Sequence, residues 1–154
     1  MKIRKSTEKD FEGMMKIAKK LHPKWFDKFA INVSMPLDLK IHKGFVAEEK
    51  GKILGFVTYT SNEGETKISW IGVEPEFQGK GIGTKLLRKL EKELKRIGVK
   101  DLRVETVGDS TKYKPYEITR AFYRKMGFRV EKVRKIRSKD TGEEFNLATF
   151  IKKF

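Results

Sequence analysis

The sequence predicts an α/β (α+β) protein: a mixed central β-sheet of about seven strands flanked by about four helices. Three observations carry this. Short runs rich in β-branched and aromatic residues recur at close spacing, as at 45–49, 52–60 and 66–73. Between and after them, apolar residues recur at helical spacing; Leu86, Leu87, Leu90, Leu94 and Ile97 fall within roughly 100° of arc. Strand, helix and strand then follow one another over 66–106, which makes a βαβ unit with two parallel strands, while tight turns at Gly51 and 61–65 join antiparallel ones.

Taken in order, residues 2–5 read as a short first strand with Ile3 its one apolar residue. Ser6 or Thr7 then caps a helix whose first turn carries Asp10, and Phe11, Met14, Ile17, Ala18 and Leu21 form its apolar stripe up to Pro23. Residues 25–31 read as an aromatic helical turn, and Ser34 with Pro36 opens another short helix through Ile41. The meander 45–73 follows, then the long helix, stopped by Gly98. Leu102, Val104 and Thr106 mark one face of the next strand. Pro115 opens a helix with Ile118, Ala121, Phe122 and Met126 along its apolar arc, ended by Gly127. From Phe128 a strand begins whose alternation slips between Val130 and Val133, so a bulge is expected there. A hairpin turn at 139–142 leads to the last strand, 145–151.

The 154 residues suit one domain, 1–154, with no linker, repeat or low-complexity tract. No apolar run approaches membrane-spanning length and no apolar stretch follows the charged N-terminus, so a cytoplasmic protein is expected, with no membrane partner. Cysteine is absent, which excludes disulfides, thiolate catalysis and cysteine metal sites; no metal is expected. Lys and Arg number 36 against 21 Asp and Glu, a formal +15. That field favours anionic partners, nucleic acid or an acidic protein among them. Equally, abundant Lys and Glu without Cys is thermophile-like, a solubilising surface and nothing more.

The most informative stretch is the turn between the strand 66–73 and the long helix. A Gly-rich turn there leaves free backbone N–H groups at the helix start and forms an anion site. Spacing separates the phosphate loops. Gly79-Lys80 is followed by Gly81, so the P-loop frame fails. A Gly-x-Gly-x-x-Gly frame would place Thr84 or Leu86 in its last position, so the dinucleotide fingerprint fails too. What fits is Gln/Arg-x-x-Gly-x-Gly, as Gln78-Gly79-Lys80-Gly81-Ile82-Gly83. Preceded by the Val73-x-Pro75-x-Phe77 strand exit, it resembles the acetyl-CoA loop of the GCN5-related N-acetyltransferase (GNAT) family. A second stretch, Phe122-Tyr123-Arg124-Lys125-Met126-Gly127-Phe128, resembles the motif closing the last helix of that family.

The resemblance implies the GNAT fold and transfer of an acetyl group from acetyl-CoA to a primary amine by direct attack in a ternary complex. It implies that N–H groups from Gly79 to Thr84 hold the pyrophosphate with Lys80 adding charge, and that main-chain groups of Ile71 and Val73 pair with the pantetheine arm or polarise the thioester carbonyl, with Gly72 and Gln78 also in the cofactor-binding set. It makes Tyr123 the acid that protonates the departing thiolate. On the helical wheel Tyr123 falls at the rim of the apolar arc, where a phenol buries its ring and shows its hydroxyl to a cleft. The strand around Leu102-Arg103-Val104-Glu105-Thr106 is similar to ribosomal-protein-type N-terminal acetyltransferases, which makes Glu105 a candidate base; pairing of Glu105 with Arg103 or a lysine is the plain alternative. His22 and His42 are further candidate bases. Trp25, Phe26 and Phe29 either line an acceptor pocket or belong to the core.

Two departures stand out. The family's Asn-x-x-Ala is replaced at Tyr116 and Thr119, which weakens one cofactor contact. An extra segment, 108–115, places Lys112, Tyr113 and Lys114 as candidate substrate or cofactor contacts. The acceptor is expected to be a small-molecule amine or a protein or peptide amine, and the protein a monomer or homodimer. The alternative is a basic module that binds CoA, nucleic acid or an acidic protein without catalysis.

Overall fold

A computed structural model describes all residues, 1–154. Seven strands form one sheet in the order β1-β2-β3-β4-β5-β7-β6. They are β1 (Lys2–Lys5), β2 (Lys43–Glu49), β3 (Lys52–Asn62), β4 (Glu65–Val73), β5 (Asp101–Val107), β6 (Arg129–Arg137) and β7 (Glu144–Lys153). Four α-helices accompany them: α1 (Phe11–Lys20), α2 (Met35–Ile41), α3 (Ile82–Arg96) and α4 (Lys114–Lys125). Only β4 and β5 run parallel, as the βαβ pattern requires. This is the mixed sheet with four helices that the sequence predicts.

The sheet separates two apolar clusters. On one face, Leu86, Leu87, Leu90 and Leu94 of α3 pack fully buried against Phe45, Val57, Leu102, Val104 and Phe150. Burying each leucine contributes about 2 kcal/mol, so this stripe anchors α3 and the turn before it. On the other face, Met14, Ile17, Ala18 and Leu21 of α1 and Met35 and Leu39 of α2 cover Val46 and Phe56. Gly72 belongs to that contact: a Cβ on it would stand 3.0 Å from the Leu21 side chain and from the Phe56 ring. The outer strand β6 is exposed almost throughout, and its Arg and Lys side chains discourage further strand pairing. The expected bulge is present: the register to β7 shifts between Val130 and Lys132.

Three expectations are corrected. Ile97 does not join the α3 stripe; it lies at the helix end, 54% exposed, because the chain turns away at Gly98. The place on that stripe goes to Ile82 and to the stem of Glu91, a buried carboxylate paired with Lys152. The apolar arc of α4 is also rotated: Ile118 is 53% exposed and Ala121 is exposed, while Pro115, Arg120 and Tyr123 are buried. At the first helix, a single 3-10 turn (Glu8–Asp10) intervenes before α1.

Asp10 ties the start of the chain together. Its carboxylate accepts the Thr7 N–H at 2.8 Å and two Arg4 guanidinium hydrogen bonds at 2.8 Å, while Arg4 also reaches Glu48 on β2. These bonds from Arg4, ahead of the opposing cost of burial, hold the Asp10 carboxyl below its ordinary value. A carboxyl lowered in the folded state adds stability above its unfolded value, near pH 4, that is lost as pH falls through the folded one. Asp10→Ala should therefore cost about 2 kcal/mol at neutral pH, seen as a drop in Tm of about 5 °C, and should flatten the acid limb of the stability profile. An unchanged Tm would remove Asp10 from this role.

Candidate active site

The sheet opens in its middle. β4 and β5 are paired only at Lys67 with Arg103 and at Ile68 with Val104. At that point β4 carries a bulge: Thr58 faces Trp70 and Tyr59 faces Ile68, leaving Ser69 as the extra residue. A bulge bends its strand and increases the local twist. Past it, residues 70–73 stay paired to β3 while 105–107 stay paired to β7, so the two parallel strands diverge toward their carboxyl ends. A cleft of about 970 Å³ fills the opening, with Ile71, Val73, Glu105 and Val107 on its walls. Such crevices at the carboxyl ends of parallel strands are where α/β folds bind ligands.

The glycine turn closes one end of this cleft. Gly79 and Gly81 adopt φ of +79° and +84°, the left-handed region open to glycine, and no atom lies within 4 Å of where a Cβ would stand on either. The turn therefore needs glycine for its backbone conformation, and the space in front of it is open. The first carbonyl of the turn to enter the helix ladder is Gly81, which accepts from Lys85 at 3.0 Å. None of the N–H groups of residues 79–84 donates to another group of the chain, so six consecutive donors stand at the positive end of α3. The Ile82 side chain is buried in the α3 core and pins the turn from below. Gln78 pins it from above, its Nε2 donating to the Val73 carbonyl at 3.2 Å. The Lys80 Nζ lies 5.2 Å from the centre of the Phe77 ring.

Opposite the turn, α4 brings Phe122 and Tyr123. The Phe122 ring stands 3.7 Å from where a Cβ would sit on Gly83, which joins α4 to the start of α3. Tyr123 is not at the rim of the apolar arc but inside it: it is 2% exposed, packed edge-on to Phe122 and Phe128 and tilted against Phe150. It nevertheless lines the cleft, and its hydroxyl has no hydrogen-bond partner in the chain. Burial alone pushes the phenol pKa up, so the hydroxyl keeps its proton across the whole neutral range.

Arg120, which the sequence reading missed, sets that helix. It is 3% exposed and donates to the carbonyls of Val107 and Gly108 at 2.9 and 3.0 Å and of Thr111 at 3.1 Å, with Asp109 paired to it at 2.9 Å. A buried guanidinium is held only where such acceptors meet it. Turning Arg120 inward rotates α4 and takes Ile118 out of the core. The one signal available was an arginine two residues before the Phe122-Tyr123 pair, following a loop rich in carbonyls.

The side of the cleft facing α1 and α2 is built from residues 21–34. Trp25, Phe26 and Phe29 line it, with Phe26 edge-on to Trp70 at 5.5 Å. Two straps hold this segment. Tyr113, from the extra loop, donates to the Lys24 carbonyl at 2.8 Å. Asp140, from the β6–β7 turn, accepts the N–H groups of Lys28 and Phe29 at 2.8 and 3.0 Å. Tyr113 thus ties the wall in place, while Lys112 and Lys114 are exposed and off the wall. Tyr116 and Thr119 do line the cleft, Thr119 with its hydroxyl donated to the Pro115 carbonyl at 3.1 Å.

Glu105 lies on the cleft wall, but both its oxygens face cations: Lys67 at 3.4 Å and Arg134 at 3.2 Å. Arg103 is not its partner and instead pairs with Glu131, Asp101 and Glu65. His22 is off the wall, with Nδ1 2.9 Å from the Phe26 carbonyl. His42 is off it too, but its Nδ1 sits 3.0 Å from the Ser69 hydroxyl, which lines the cleft at the bulge. No group of three or more His, Asp or Glu side chains is placed to hold a metal ion, and no helix is long and apolar enough to cross a membrane.

The model of the acetyltransferase (GNAT) domain matches residues 40–130, more than half of the chain. The chain belongs to the GNAT family. Solved structures agree on the fold. A ribosomal-protein-alanine N-acetyltransferase from Brucella melitensis superposes with a TM-score of 0.77 at 19% identity, over 100% of both chains. An N-acetyltransferase from Staphylococcus aureus gives 0.76 at 20% identity, over 99% of this chain and 97% of that one. An aminoglycoside N-acetyltransferase complexed with coenzyme A gives 0.74 at 14% identity, over 99% and 97%. This GNAT protein therefore shares the acetyltransferase scaffold from end to end.

If the row of free N–H groups holds an anion, Gly81→Glu should weaken acetyl-CoA binding by about a hundredfold, measured by titration calorimetry, with the far-UV spectrum unchanged. Unaltered affinity would remove the turn from the donor site.

Proposed function

We propose that this protein transfers an acetyl group from acetyl-CoA to a primary amine, both bound at once in the cleft between β4 and β5. One observation carries the reading: a single cleft joins the free N–H groups of Gly79 and of Gly81 to Thr84, the unpaired side of β4 and a buried phenol without a partner. The donor set fits coenzyme A, because a pyrophosphate matches the N–H row at the start of α3 and an amide-bearing arm matches an open strand edge. Residues 79–84 would hold the pyrophosphate, with Lys80 adding positive charge beside it. Main-chain groups from Ile71 to Val73 would pair with the pantetheine arm; the Val73 carbonyl already accepts from Gln78, so Gln78 shapes the turn. When bound, acetyl-CoA supplies an activated acyl carbon and a thiol leaving group.

The protein's own groups then have three tasks. The cleft walls hold the amine against the acyl carbon, converting a bimolecular encounter into an oriented one. A base takes the amine proton as the N–C bond forms and the C–S bond breaks. The Tyr123 hydroxyl gives its proton to the departing sulfur, and its apolar surroundings keep it protonated until then. With no cysteine in the chain, no thiol accepts the acetyl group on the way.

Two routes serve the base. Glu105 reaches the cleft directly but shares its oxygens with Lys67 and Arg134. Ser69 opens onto the cleft and passes a proton to His42 through a 3.0 Å contact. The Brucella enzyme acts by its name on the nitrogen of a ribosomal-protein alanine, and the aminoglycoside enzyme by its own on a nitrogen of an aminoglycoside. Both are amines, which supports the reaction class.

Tyr123→Phe should lower kcat about a hundredfold, followed by release of free CoA, and leave acetyl-CoA affinity intact. Full activity would return Tyr123 to a packing role. Glu105→Gln and His42→Gln separate the two routes: the variant that loses turnover with unchanged KM for the amine identifies the base, and loss in neither assigns the proton to water. If acetyl-CoA neither raises Tm nor releases CoA with any amine, the enzyme reading fails.

A further inference from the structure

The charge on the cleft wall runs opposite to the charge of the protein. The chain carries 36 Lys and Arg against 21 Asp and Glu, yet no Lys, Arg or His lines the cleft. The charged residues on the wall are Asp27, Glu105, Asp140, Glu143 and Glu144, all acidic. They are not spread evenly. None lies by the glycine turn, where the N–H row stands. Asp27, Asp140, Glu143 and Glu144 cluster at the far mouth, between the 25–30 segment and the β6–β7 turn, and Glu105 sits deeper on β5.

Their partners separate them further. Glu105 is offset by Lys67 and Arg134, and Glu144 pairs with Arg137 at 3.0 Å. Asp27, Asp140 and Glu143 have no cationic partner. Asp140 is occupied by two backbone N–H groups, and Asp27 accepts the Ala30 N–H at 2.8 Å, so their carboxylates are held in place. Trp25, Phe26, Phe29 and Trp70 line the same cleft. Deeper in, the Tyr123 hydroxyl, unpartnered on an almost wholly buried residue, marks the reacting end. An apolar aromatic passage with acids at its entrance and a buried polar group at its end suits one shape of ligand.

We propose that the acceptor is a slender aliphatic oligoamine, with one amine delivered to the bottom of the cleft while a second, charged nitrogen stays at the acidic mouth. This rests on the acetyl-transfer reading above. The chemistry supports the division of labour. An ammonium held by unpaired carboxylates keeps its charge, and aromatic faces favour cations passing over them. The amine that attacks must be neutral, and it arrives where Glu105 is already offset by two cations and the wall is apolar. A positive charge further along the same ligand also favours loss of a proton from the reacting amine. In a protein of net +15, an acidic mouth is needed to admit a polycation at all.

The test compares acceptors that differ in charge: n-butylamine, putrescine and spermidine, with an alanine peptide of zero net charge as the control, by release of free CoA. We expect kcat/KM to rise about fivefold or more with each added nitrogen, through KM, and the rise to shrink with added salt. Glu143→Gln, on an exposed side chain without a hydrogen-bond partner, should raise KM for spermidine several-fold and leave that for n-butylamine unchanged. Equal kcat/KM across the charge series, or preference for the net-neutral peptide, overturns the proposal while CoA release upholds the acetyl-transfer reading. Failure of every acceptor to release CoA overturns both.

Discussion

The bulge at Ser69 is the constraint on which the site depends. A parallel pair of strands in mid-sheet normally closes along its whole length, because each unpaired N–H and C=O buried there costs free energy. Here pairing stops after Ile68 and Val104, since the extra residue re-aims β4 toward β3 while β7 keeps β5 straight. The resulting opening exposes one side of β4 in the middle of a well-packed protein. That exposure costs stability and leaves polar groups for a ligand to satisfy.

Everything around the opening is fixed by packing. The four leucines of α3 are fully buried under the sheet, so the glycine turn ahead of them has one position, and Ile82 and Gln78 brace it from two sides. Arg120 performs the same service for α4. By gathering the carbonyls of Val107, Gly108 and Thr111 it anchors the extra loop, and through that loop Tyr113 reaches the 21–34 segment. The two walls of the cleft are thus mechanically joined, with Asp140 as a second tie.

The electrostatics divide along the same axis. One end offers main-chain donors at a helix start, the other offers carboxylates, and the hydroxyl of Tyr123 lies in the wall between them. A cofactor rich in phosphate and an acceptor rich in nitrogen would approach from opposite ends. The net charge of the protein, which from composition suggested anionic partners generally, describes the outer surface and not the interior of the site.

Sequence alone determined the element order, the parallel βαβ unit, the glycine turn and the position of Phe122-Tyr123, because each rests on local rules: hydrophobic period, turn chemistry and helix caps act within a few residues. The tertiary structure decided the bulge at Ser69, the rotation of α4 about Arg120, the ion pairs on Glu105 and the wholly acidic lining of the cleft. Those depend on residues far apart in the chain, such as Lys67, Glu105 and Arg134, or Asp27 and Asp140, whose charges and hydrogen bonds meet only once the sheet has formed. Local pattern is enough to build a strand or a helix; the facing of a buried arginine, or the sign of a pocket, is set by which distant groups fold against it.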